Sequence, residues 1–295
     1  MVVSFGFVLI VILLQFIMIK YLLYNFNKLL VLCAICFVAH GSLFAQGFLS
    51  TNTRSFAIGE ELTYIISYTW FFIWTDVGEV QFKVQSDTLN NQQVLHLHAY
   101  GTTYPFYDWF FEVRDIYESW VDANMLVPLR FNRDVNEGGY TKENEYSFCW
   151  YSNEVKARIR RRGGENKFYT IPVEPGTVDV VTAIYISRNL DFSEANAMDS
   201  YPVSVILDRE AFSVKYTYLT NEVKKVKGLG EFNTLKFRVE LIAGDVFKEG
   251  QYLYVWVSND QNRVPLYIES PIRVGSVKAR LANYKGLQHR LNEVL

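Results

Sequence analysis

The chain has 295 residues, half of them apolar and 16% aromatic, with 17 Gly and 7 Pro. This length and apolar content suffice for one large domain or two small ones, and they exclude a disordered, collagen-like or low-complexity protein. A formal net charge of −2 gives no electrostatic footprint for nucleic acid.

Residues 1–45 carry two charged side chains, Lys20 and Lys28, and no acid. The run from Leu29 to Ala39 is apolar and too short to span a bilayer as a helix. A basic stretch, a short apolar stretch and Ala45 together read as a secretory signal peptide cleaved after Ala45. Bulky Leu32 and Ile35 precede Cys33 and Cys36, which argues against lipidation. Residues 1–19 form a second apolar run, and Met18 is read as the true start. The alternative is a membrane anchor at 1–19. Residues 46–55 read as a short linker, 56–285 as a single β-rich domain and 286–295 as a tail that trails off. The mature chain keeps one cysteine, Cys149, so it has no internal disulfide.

From residue 60 onward apolar residues alternate with period two, the signature of strands. Strands are expected at 61–68, 79–84, 94–100, 112–121, 126–133, 144–151, 154–161 and 167–172. After a helix they resume at 202–207, 212–219, 232–241, 251–258, 264–269 and 276–283. Turn residues separate them, including Asn90-Asn91, Gly138-Gly139, Gly163-Gly164 and Asn259-Asp260. The helix is expected at 179–189, where Val180, Val181, Ile184, Tyr185 and Arg188 fall at helical spacing and Asp179 can cap the N-terminus. No second helix is expected.

The chain contains no phosphate loop, nucleophile elbow, zinc-protease motif or paired CxxC. His96 and His98 share a strand face, but two imidazoles do not make a metal site, and no metal or cofactor is expected. Cys149, flanked by Phe148 and Trp150, reads as an inert core residue. Lys156, Arg158, Arg160 and Arg162 line one face of a strand; they read as the charged guard of a sheet edge or as a row for lipid phosphates or an acidic partner.

Several patches, taken in order, resemble the domain-of-unknown-function 3108 family of bacterial exported proteins. They are Gly59-Glu60-x-Leu62-x-Tyr64, Gly78, Tyr117-Glu118-Ser119-Trp120-Val121-Asp122 and Pro128-Leu129-Arg130-Phe131. Glu137-Gly138-Gly139-Tyr140 and the helix motif Asp179-x-x-x-Ala183-x-Tyr185-x-x-Arg188 follow. The last are Trp256-x-Ser258-x-Asp260, Arg263-x-Pro265 and Gly275-Ser276-Val277. The resemblance implies an exported, mainly β protein and carries over no catalytic residue. Arg188 and Trp256, within these motifs, are candidate ligand residues beside their scaffold reading.

The expected architecture is a strongly curved antiparallel sheet or open barrel around the helix near 178–189; the alternative is a two-sheet sandwich. Two aromatic clusters, 70–74 and 104–111, exceed what strand alternation needs. Phe71, Trp74, Phe106, Trp109 and Phe110 are expected to share one surface or pocket that binds a lipid or other apolar ligand, with membrane contact. The expected setting is the periplasm or the periplasmic face of the outer membrane, and the expected activity is non-enzymatic binding. An assembly factor that binds another envelope protein by a strand edge is the second hypothesis, and an uncharacterised enzyme the third.

Overall fold

The computed structural model describes residues 54–70, 73–190, 192, 195–242, 252–271 and 276–294. The signal peptide, the Met18 start and the alternative anchor lie outside the described residues. The first eight strands are β1 (Glu61–Trp70), β2 (Ile73–Leu89), β3 (Gln92–Thr103), β4 (Val113–Asp122), β5 (Pro128–Glu137), β6 (Tyr140–Cys149), β7 (Glu154–Arg161) and β8 (Lys167–Pro172). Six more follow: β9 (Ser200–Leu207), β10 (Glu210–Val226), β11 (Gly230–Ile242), β12 (Tyr252–Ser258), β13 (Pro265–Pro271) and β14 (Ser276–Lys285). Helix α1 (Pro105–Phe111) lies between β3 and β4, and α2 (Val180–Ser187) between β8 and β9. Each expected strand and the expected helix is present; α1 corrects the expectation of a single helix.

All fourteen strands form one sheet, in the order β8-β7-β6-β5-β4-β3-β2-β1-β14-β13-β12-β11-β10-β9. The sandwich alternative is thereby replaced. Each half of the chain is a meander of hairpins, and β1 pairs antiparallel with β14 to join the halves. Tight turns set the hairpins: Asn90 and Asn91 at φ 50° and 63°, and Gly138 and Gly139 at φ 55° and 83°. Paired positive φ values give the turn twist that matches the right-handed twist of the flanking strands.

The sheet rolls up because one face of nearly every strand is apolar. On β3 Leu95, Leu97 and Ala99 are buried, and on β4 Val113, Asp115, Tyr117, Ser119 and Val121, each alternating with half-buried residues. Strands far apart in the order meet across the roll: Asp208, between β9 and β10, bonds Arg133 on β5 at 3.2 Å. Helix α2 fills the interior, with seven of its eight residues buried. A helix apolar on all sides belongs in a core. Its cap, Asp179, accepts from the N–H groups of Val181 and Thr182 at 2.9 Å each and from Ser119 Oγ on β4 at 2.7 Å.

The chain direction places α1, the β5–β6 turn, the β7–β8 turn and the β9–β10 turn at one end of the roll. The start of β1, the β12–β13 turn and Arg188 lie at the other. The last residues do not trail off. Leu291 is buried, His289 and Asn262 exchange two hydrogen bonds of 2.8 and 3.0 Å, and Glu293 bridges to Phe232. One apolar anchor and a hydrogen-bonded asparagine suffice to dock this short tail.

Candidate functional site

Helix α1 is held to the body on one side and bare on the other. Pro105 opens it, with φ preset for a first helical turn. Tyr107 Oη bonds Thr75 Oγ1 at 2.5 Å, and Asp108 accepts from Thr103 at 2.6 Å and from Arg114 at 2.6 Å. The Arg114 guanidinium, more than any other group, holds the Asp108 carboxyl below its usual pKa. Phe111 packs over Gly138, where an added Cβ would come within 2.5 Å of its ring. Residues 107, 108 and 111 therefore face the protein. Phe106 and Trp109, on the other side, are 74% and 70% exposed.

The first aromatic cluster meets the second here, since Thr75 and Tyr107 are bonded. Trp74 is 45% exposed on the outer face of β2, where its indole N–H points to Asp76 at 3.3 Å and Lys278 Nζ lies 4.6 Å from its ring centre. Trp74 and α1 thus lie toward the same end of the roll. Phe71 and the Phe110 side chain lie outside the described residues.

Arg188 and Trp256 lie elsewhere. Arg188 is fully enclosed at the opposite end, where Nη2 donates to Glu60 Oε2 at 2.8 Å and Nε to the Asn262 carbonyl at 3.1 Å. Its Nη2 also donates to the Ser55 carbonyl at 3.0 Å, so its donors are committed to the protein's own acceptors. Trp256 is 4% exposed on the outer face of β12, where Lys224 Nζ lies 3.7 Å from its ring centre and its indole donates to Glu222.

Beneath the α1 rim lies a charged cluster that sequence patterning does not single out. Asp115 and Tyr117 of β4, Arg133 and Glu137 of β5, and Lys142, Asn144 and Tyr146 of β6 all point inward. Asp208 reaches into them from the β9–β10 turn and bonds Arg133, Lys142 and Asn144, while Tyr146 donates to its carbonyl at 2.7 Å. Burial opposes ionisation of Asp208, but Arg133 and Lys142 outweigh it and keep its pKa below the usual value. Burial lowers Lys142 to about 8. Burial also lifts Asp115 and Glu137 above the carboxylate range, and for Glu137 the facing Asp115 charge adds to it. Two buried carboxyls facing each other disfavour the doubly ionised state.

The remaining candidates are accounted for locally. His96 bonds Glu118 at 3.0 Å and stacks on Trp120, and no group of three metal-ligating side chains occurs among the described residues. Cys149 is half-buried rather than in the core. Its neighbour Phe148 takes the inward position that alternation grants to every second residue. In the basic row, Arg158 pairs with Glu145 and Arg160 with Glu143 on β6.

The family model described as Protein of unknown function (DUF3108) matches residues 63–282. The chain belongs to this family. No curated protein matches it. A crystal structure of a β-barrel-like protein of domain of unknown function DUF1849 from Brucella abortus is similar at 6% identity and TM-score 0.53. The match covers 79% of this chain and 100% of that one. That likeness shows the fold alone, an open barrel, for this DUF3108 chain. A structure from Parabacteroides distasonis ATCC 8503 described as a "putative lipoprotein" shares 14% identity at TM-score 0.38, over 79% and 99% of the two chains. At that score it carries no argument.

Proposed function

We propose that this DUF3108 protein is an exported, non-enzymatic protein of the cell envelope that takes the acyl part of a lipid at its α1 rim. One observation carries the reading: Phe106 and Trp109 stand 74% and 70% exposed on a helix pinned to the body. Burying such a ring contributes about 1.5–3 kcal/mol, so two rings this exposed on a fixed support favour an apolar occupant. Among the described residues, the enclosed cavity between α2 and β1, lined by Leu62, Tyr64, Tyr185 and Arg188, holds only about 20 Å³. That is room for one water molecule. The export reading rests on the leader sequence.

Co-sedimentation with phospholipid vesicles tests the proposal. The double variant Phe106→Ala, Trp109→Ala is expected to lose about tenfold or more in vesicle affinity, with a melting temperature within about 3 °C of wild type. Unchanged sedimentation, or a large fall in melting temperature with binding intact, would contradict it.

A further inference from the structure

The two edges of the sheet are not alike. β9 is covered: Val178 forms a parallel bridge with Val205, and the Val178 carbonyl accepts from Ile206 at 2.9 Å. β8 pairs with β7 only, and no strand among the described residues lies along its other side. Val173 N–H donates to the Asn153 carbonyl at 2.9 Å, on the β7 side. Backbone groups alternate sides along a strand. The register pairs Ile171 with Val155 and Tyr169 with Ala157, so those residues also turn their backbone toward β7. Phe168, Thr170 and Pro172 present theirs to the open edge. All three are exposed, Phe168 at 74%.

Such an edge is normally guarded by charges or proline. β8 carries one charge, Lys167, and ends in Pro172, which offers the edge a carbonyl but no N–H, so the pairing groups are those of Phe168 and Thr170. The basic row sits one strand in, on β7, beside an open groove of about 420 Å³ on the outer face. Glu145, Ser147, Lys156, Arg158, Phe168 and Thr170 line it. Residues 154–167 hold six basic and two acidic side chains, and Arg209 lies over Tyr169 at 5.3 Å. Arg158 and Arg160 are neutralised by β6, whereas Lys156 is exposed and makes no ion pair with a described residue. Backbone groups ready to pair, an exposed ring at the edge and a positive surface alongside fit one kind of partner.

We infer that β8 is a docking edge for an extended acidic segment of another protein, which adds antiparallel as a fifteenth strand and sets alternate carboxylates against Lys156 and its neighbours. Strand addition draws affinity from the main chain and selectivity from alternate side chains. This surface is separate from the α1 helix, so the inference does not depend on the lipid reading.

Fluorescence anisotropy with a labelled (Glu-Val)5 peptide tests it, with (Lys-Val)5 as the control. Thr170→Pro removes an edge N–H that faces away from β7, where no described strand lies, so the fold is retained, as a circular dichroism melt will verify. Lys156→Glu reverses the recognising charge. The wild type is expected to bind (Glu-Val)5 at least about tenfold more tightly than (Lys-Val)5, and each variant to lose about tenfold or more. Equal binding of the two peptides, or (Glu-Val)5 binding untouched by Thr170→Pro, overturns the inference. So does binding of anionic phosphatidylglycerol vesicles, rather than the peptide, at this edge.

Discussion

At the scale of single residues, the decisive groups are buried charges that meet their opposites. Arg188 and Glu60, both fully enclosed, tie the end of α2 to the start of β1 and, through the Asn262 carbonyl, to the β12–β13 turn. Removing one partner of such a pair leaves the other charged in an apolar interior, which costs about 3–5 kcal/mol. Arg188→Met is expected to lower unfolding free energy in urea by that amount. Arg188→Lys should not restore it, because an ammonium cannot grip Glu60 with two parallel bonds while also reaching Asn262. A loss below about 1 kcal/mol would remove the pair from the account. Asp115 and Glu137 act in the other direction. Their folded pKa values are raised by burial, so the native state keeps protons that the unfolded chain releases above about pH 4. Their contribution to stability is complete below that pH and is lost as pH rises through the folded values. The double variant Asp115→Asn, Glu137→Gln is expected to flatten the fall in melting temperature between about pH 5 and 8 relative to wild type. His98, whose burial lowers its pKa, contributes the opposite slope, and it is common to both proteins. Parallel pH profiles for the two proteins would show that the acid pair holds no extra proton.

At the scale of elements, the legible parts are those in which one face alone decides the structure. Most of the strands announce themselves by period two because their outer residues are largely polar and their inner ones largely apolar, and α2 by Val180, Val181, Ile184 and Tyr185 behind the Asp179 cap. Helix α1 is not legible in this way. Its seven residues are mostly aromatic, and the groups that hold it, Thr75, Thr103, Arg114 and Gly138, come from four separate places in the chain. The charged cluster is hidden for a related reason: on β5 and β6 polar residues occupy both faces, so alternation cannot say that Arg133, Glu137, Lys142 and Asn144 point inward. Nor does spacing reveal that Asp208 completes it from a distant turn. The seat of α1 can be tested at Gly138. Its φ of 55° disfavours any other residue, and a Cβ there would strike the Phe111 ring at 2.5 Å. Gly138→Ala is expected to destabilise the protein by about 1–3 kcal/mol and to speed proteolysis around residues 105–111. Unchanged stability and proteolysis would mean that α1 is not held by Phe111.

At the scale of the whole molecule, the roll is an open sheet fastened at both ends. Asp208 fastens the end beneath α1 and Arg188 the opposite one, while α2 fills the space between. On the outside, the α1 rim offers two highly exposed rings, Phe106 and Trp109, on a helix anchored by Thr75, Thr103, Arg114 and Gly138. The most direct measurement of that claim is tryptophan quenching by vesicles whose phospholipids carry bromine on their acyl chains, comparing wild type with Trp109→Phe. The account predicts that brominated chains quench the wild-type emission and that most of this quenching disappears when Trp109 is replaced. Quenching that is absent in the wild type, or undiminished in Trp109→Phe, would contradict a lipid-binding rim.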